Sequence, residues 1–419
     1  MRPSADLGGG SSSGVERKLP KLDVAGSIPV SRSNFFLTSL LFRLLCAASL
    51  QFSACGPKPV PSESPLDTAA NHYQRGLAHL EAGEQMDAAR EFERARVLDP
   101  GFPGHWVGTA LLSMAQGDFW RARQDLGKAI HQDGRLVDSY VALGRVIAAE
   151  GLARGYPVES WYKEAQAAYR KAEERSPGDP GIAYYLGMCH FDAGELEAAR
   201  GELGRVLAVG RGRYLVPAQK QLELVQTIER VAPGSAWGLK IARLPQVSRA
   251  ELAVLLLEEL KVAELVSQRR LPSREPRFAA PALSRSDSLV RPTDIDPSWA
   301  RVWIEEVLKL GIPGLELMPD RRFLPASTVD RAAMAVVTHG ILLLLTGDES
   351  LATRYLGETS RFPDVRGDSF AYNAIAVNTE RGIITADQLT GLFRPEAPIS
   401  GAEAMQIIRQ LQNAVRFEF

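Results

Sequence analysis

From Thr68 onward, small and apolar positions recur with a period of 34 residues. Gly76, Ala88, Phe92 and Ala95 return as Ala110, Ala122, Leu126 and Ala129, each 34 positions later. Trp106 belongs to that second unit. A third unit opens with Tyr140, Leu143 and Gly144 and closes with Ala165, Tyr169, Ala172 and Pro177. Its halves are separated by about nine extra residues around Gly151–Ser160, read as a longer turn between helices. A fourth contains Leu186, Gly187, Ala199 and Leu203. The spacing predicts paired helices: Gly76, Ala110, Gly144 and Gly187 permit close approach, and Phe92, Leu126, Tyr169 and Leu203 fill the space between hairpins. Pro100 and Pro177 end helices. Gly83, Gly117 and Gly194 suit the turns. Such arrays need capped ends, and Tyr214–Val231 is the expected capping helix.

This pattern resembles the tetratricopeptide repeat (TPR). The resemblance implies a concave groove lined by the first helix of each hairpin. Carried onto this chain, the lining is Tyr73, Leu77 and Leu80, then Val107, Leu111 and Met114, then Arg145, and last Tyr184, Met188 and Phe191. Met and aromatic side chains make adaptable contacts, so the expected occupant is a peptide or helix of an envelope protein partner. The alternative is a face closed by the curvature of the array or by the linker.

After Pro233 the period changes. Two segments match: Asp294 and Asp364 lie 70 apart, as do Phe323 and Phe393, and Met334 and Met405 lie 71 apart. Asp294-Ile295 and Asp364-Val365 open the copies. Trp299-Ala300 and Phe370-Ala371 place an aromatic and a small residue on a first helix. Gly311-Ile312 and Gly382-Ile383 end it. Phe323-x-Pro325 and Phe393-x-Pro395 lead into a second helix. Upstream, Ser248-Arg249-Ala250-Glu251 has the spacing of a capping box.

These landmarks resemble the S-layer homology (SLH) domain, with three repeats of which the first is incomplete. The resemblance implies a pseudo-threefold module whose grooves bind an anionic cell-wall glycan through a motif arginine. Arg249 and Arg331 are the glycan candidates on that basis. Glu251 and Glu403 are second candidates, with helix capping as their simpler role. Gly401 stands where a third arginine is expected. Between repeats one and two, residues 267–292 hold six arginines, Glu275 and Asp287, and four prolines. They read as a basic loop, either solvated or touching anionic polymer or lipid.

Composition adds little to the helical pattern. The chain has 419 residues, 45% hydrophobic and 24% charged, with a net charge of −1. That balance offers no field for nucleic acid. Three cysteines form no disulfide framework, and the six histidines form no metal-ligand spacing. No cofactor is implied and no enzyme is expected: no nucleophile–base pair or phosphate loop is visible.

The N-terminus carries targeting information. Residues 1–34 lack apolar periodicity. Gly26-Ser27-Ile28-Pro29 resembles the translated T-arm of a tRNA gene, so the first ~30 residues are expected to lie outside the native protein or to form a disordered leader. Residues 35–55 have the form of a signal peptide. Phe52-Ser53-Ala54-Cys55 resembles a bacterial lipobox and implies lipid on Cys55 and hence a membrane anchor. Residues 56–66 carry four prolines and read as an extended tether.

The expected architecture is all-α: a TPR array over 67–233, four repeats plus a capping helix, then an SLH domain over 236–419. The expected protein is a non-enzymatic envelope lipoprotein, periplasmic or cell-surface, with a protein partner in the TPR groove and a wall polymer or envelope component at the SLH repeats. The alternative is a scaffold or accessory subunit of an envelope complex without glycan affinity.

Overall fold

A computed structural model describes residues 60–269 and 291–417. The expected leader, signal and lipobox with Cys55, and most of the expected basic loop, lie outside these residues. The described residues form helices α1 (Ala69–Glu81), α2 (Gln85–Leu98), α3 (Gly104–Ala115), α4 (Phe119–Gln132), α5 (Val137–Arg154), α6 (Val158–Glu173), α7 (Pro180–Ala193), α8 (Leu196–Val209) and α9 (Leu215–Val231). These make four hairpins and the capping helix. The chain continues as α10 (Ala236–Ala242), α11 (Arg249–Glu258), α12 (Val262–Arg269), α13 (Arg301–Leu310), α14 (Arg331–Thr346), α15 (Tyr372–Glu380) and α16 (Gly401–Phe417), with a 3₁₀ turn at Glu349–Ala352. No strand occurs among the described residues, only two isolated bridges, Ser248–Thr328 and Asp330–Pro398.

Local chemistry fixes the hairpins. Thr68 caps α1 by accepting from the Asn71 amide at 3.2 Å, and Asp118 caps α4 from Arg121 at 3.0 Å. Gly83 and Gly117 turn the chain with φ of 81° and 78°, a region closed to side chains at low cost. A Cβ on Gly76 would run into the Phe92 ring, and one on Gly144 into Tyr169. Phe92 and Tyr169 are buried there, each contributing about 1.5–3 kcal/mol of transfer free energy.

The third hairpin differs from expectation. Its extra residues do not form a long turn. They extend α5 to 18 residues, through Arg154, and α6 begins at Val158. The alanine-rich sequence sustains the helix, Gly151 gives room for the Trp161 indole, and Gly155 stops the helix at φ 64°. The end of the Pro-rich stretch is also not free. Although Val60–Leu66 is irregular, the Val60 amide donates to Val97 at 3.0 Å and Arg94 bonds Glu63 and Asp67.

Helix α9 covers α8 and is itself covered by α16. Arg409 of α16 donates to the carbonyls of Val231 (2.8 Å) and Ala232 (2.9 Å) and pairs with the buried Glu259 at 2.7 Å. That carboxylate also accepts from the Gly234 and Ser235 amides. One apolar core therefore runs from Ala183 to Val415. The C-terminal part closes the open end that every helical array presents.

That part is built around a ring of backbone bonds. Val329 N donates to Val247 O (2.8 Å), Val247 N to Ile399 O (2.9 Å), and Ile399 N to Val329 O (3.0 Å). Each residue sits two positions before the start of α11, α14 or α16. Three second helices thus begin around one pseudo-threefold axis. Asp294 grips the amides of Phe323 (2.9 Å) and Leu324 (2.8 Å). Asp364 does the same for Phe393 (2.9 Å) and Arg394 (2.6 Å). Leu324 and Arg394 hold φ of 57° and 59°, a strain of about 1 kcal/mol each that the aspartates offset.

Candidate functional site

The first helices of all four hairpins surround a concave pocket of about 250 Å³. Tyr73, Leu77 and Leu80 come from α1, Val107 and Leu111 from α3, and Arg145 from α5, six of the expected lining residues. The other four fall elsewhere. Met114 packs beside the core of the first two hairpins. Phe191 is buried against the C-terminal core, and Tyr184 stacks on Tyr214 at 5.1 Å. Met188 is half-buried outside the pocket.

The lining is more polar than the sequence suggests. Glu81, Asp138, Asp179, Tyr185, Arg213 and Tyr214 join it, beside the apolar Val137, Val141, Ala142 and Ile182. Asp138 and Tyr185 lie on repeat helices at positions the helical period offers. Arg213 and Tyr214 precede α9 and have no repeat signal. The Tyr73 hydroxyl donates to Asp138 at 2.8 Å, and burial, with that carboxylate beside it, pushes the phenol pKa well up. Asp179 accepts from the Gly181 amide at 2.7 Å as the cap of α7. Arg213 lies over Tyr214, 4.6 Å from the ring centre, and 4.0 Å from Glu81. The Arg145 guanidinium lies 4.2 Å from the centre of Tyr185.

The arginines of the C-terminal part are differently placed. Arg249 Nε donates to Phe323 O (2.8 Å), and its two terminal nitrogens to Gly314 O and Glu316 O (2.9 Å each). Its guanidinium sits 4.7 Å from the Phe323 ring centre, and burial lowers its pKa. Arg331 repeats this arrangement. Nε donates to Phe393 O (2.7 Å), a terminal nitrogen to Thr385 O (2.8 Å), and the other pairs with Glu403. Glu251 completes a capping box with Ser248, whose amide donates to it at 2.7 Å. At the third position, a Cβ on Gly401 would strike Ile241 O.

Beside the first joint lies a shallow cleft of about 460 Å³ lined by Ser248, Glu251, Asp294, Ser298, Trp299 and Pro325. Trp299 stacks on Trp237 at 4.6 Å and stays 48% exposed. Its counterpart Phe370 is 88% exposed. Among the described residues, His79, Glu84 and Asp87 bring possible metal ligands within 4.8 Å, but His79 already bonds Glu84 at 2.6 Å on an exposed turn. Cys189 is buried, and burial pushes its thiol up to about 12, which suits packing and not nucleophilic work. No described helix is long and apolar enough to cross a membrane.

Two tetratricopeptide-repeat family models match residues 73–135 and 161–220, and the S-layer homology domain model matches residues 361–405. The chain carries tetratricopeptide repeats and an S-layer homology domain. The repeats point to protein–protein interaction, and the SLH domain to association with the cell envelope. No curated protein matches the chain. Among solved structures, it is similar to a thermophilic TPR protein of Thermus thermophilus: 20% identity, 48% of this chain and 96% of that one, TM-score 0.33. It is also similar to pilF of Pseudomonas aeruginosa: 17% identity, 40% of this chain and 93% of that one, TM-score 0.20.

Proposed function

We propose that this chain is a non-catalytic adaptor of a bacterial cell envelope, anchored by lipid on Cys55, that holds a segment of a partner protein in its TPR groove. The observation that carries the reading is the concave pocket shared by all four hairpins, with rigid aromatic walls and charged groups at its rim. The SLH part serves as the closing cap of the array and its link to the envelope. Arg249 and Arg331 act as staples between repeats, since their bonds run to backbone carbonyls and, for Arg331, also to the Glu403 carboxylate. This favours a scaffold without glycan affinity.

The test is co-purification of the full-length chain from its native envelope after crosslinking. Leu80→Asp, inside the pocket, removes the partner. Trp120→Asp, 71% exposed and outside it, leaves the partner bound. Loss with both, or with neither, rejects the groove. Cys55→Ser moves the chain from membrane to soluble fraction; unchanged partitioning rejects the anchor.

A second reading, glycan binding, is favoured by the cleft at Trp299, where an exposed indole adjoins Glu251 and Asp294. Retention on purified sacculi that Trp299→Ala abolishes supports it. No retention of the intact chain rejects it.

A further inference from the structure

We infer that the segment held in the TPR groove presents an acidic side chain, and that Arg145 is the residue that receives it. This rests on the groove reading above and specifies its chemistry.

The other charges in the pocket are already engaged. Asp138 is bonded to the Tyr73 hydroxyl, Asp179 caps a helix, and Glu81 and Arg213 are paired. Arg145 is different. It is half-buried, and among the described residues its guanidinium takes no hydrogen-bond or ion-pair partner. Its contact is the face of Tyr185, 4.2 Å away. A guanidinium has five N–H donors, and stacking on a ring leaves their in-plane directions open.

The group is also held in place. Tyr185 packs edge-on against Tyr214 (5.6 Å), and Tyr214 stacks on Tyr184 (5.1 Å). Arg213 covers Tyr214. The chain of rings holds Tyr185 in place, and Arg145 lies over Tyr185. An oriented donor fork loses little entropy when a ligand arrives. The complementary acceptor is a carboxylate, which takes two parallel N–H bonds.

The experiment uses the purified full-length chain and three fluorescent nonapeptide pools, random except for a central Glu, Gln or Lys. Anisotropy is expected to rank Glu above Gln by about tenfold, with Lys weakest. Arg145→Glu reverses the order of Glu and Lys. Arg145→Gln brings Glu and Gln together and keeps the native thermal melt, so the comparison survives even where charge reversal perturbs the fold. Equal binding of the pools by the native chain, binding of none of them, or an unchanged order in both variants overturns the assignment. Should the pools not be ranked while Leu80→Asp still removes the cellular partner, the acid specificity fails and the groove reading stands.

Discussion

Two sets of arginines in this protein are used in opposite ways. In the C-terminal part, Arg249 and Arg331 each commit three nitrogens to contacts inside the molecule, and each covers a buried phenylalanine. In the array, Arg145 rests on a tyrosine with its donors uncommitted. The first kind welds neighbouring repeats. The second faces a pocket. Availability of donors, and not residue type, separates a structural arginine from one that can bind a ligand.

The contrast can be broken at several points. The largest expected effect is at the third joint. Gly401→Ala pushes a methyl into Ile241 O, where backbone cannot yield, and costs about 3 kcal/mol or more in chemical denaturation. A loss below about 0.5 kcal/mol contradicts the close approach. Next, Arg249→Ala and Arg331→Ala each leave carbonyls without donors and cost about 2–3 kcal/mol. Near-neutral values for both show that these side chains are not staples.

A similar size is expected from pH at the seam between the halves. Burial raises Asp192 to about 6, opposed by Arg243, which itself bonds the Phe191 and Asp192 carbonyls. The folded state then binds more protons than the unfolded one between about pH 4 and 6, so stability falls as pH rises through that window. The contribution is about 2 kcal/mol, and Asp192→Asn flattens the slope. An unchanged slope in that variant assigns the effect elsewhere. The smallest effect is at Arg145. Arg145→Gln changes stability by less than about 0.5 kcal/mol. A larger loss in denaturant melts places it among the structural arginines.

Much of the architecture is legible in the sequence. The 34-residue period locates the hairpins, because small residues are required where Phe92 and Tyr169 cross. The twin segments locate Val329 and Ile399 of the ring, since their aspartates and Phe-x-Pro turns do the same work twice, and the Ser248–Glu251 capping box locates Val247. The site is less legible. A motif names a donor but not its acceptor, so Arg249 and Arg331 read as available. Gly401 reads as a lost arginine, whereas the backbone of Ile241 occupies that space. The insertion near Gly151 reads as a turn, because glycine and proline mark turns, and it instead lengthens α5. Arg213 and Tyr214 lie off the repeat helices and give no periodic signal.

The most direct test of the contrast is site-specific photocrosslinking in cells with the full-length chain. A benzophenone side chain replaces Leu80 in the groove or, separately, Glu316, whose carbonyl receives Arg249. A discrete protein adduct is expected from position 80, disappearing with Arg145→Glu, and none from position 316. An adduct from position 316 alone, or one from position 80 indifferent to Arg145, contradicts the division between structural and ligand-binding arginines.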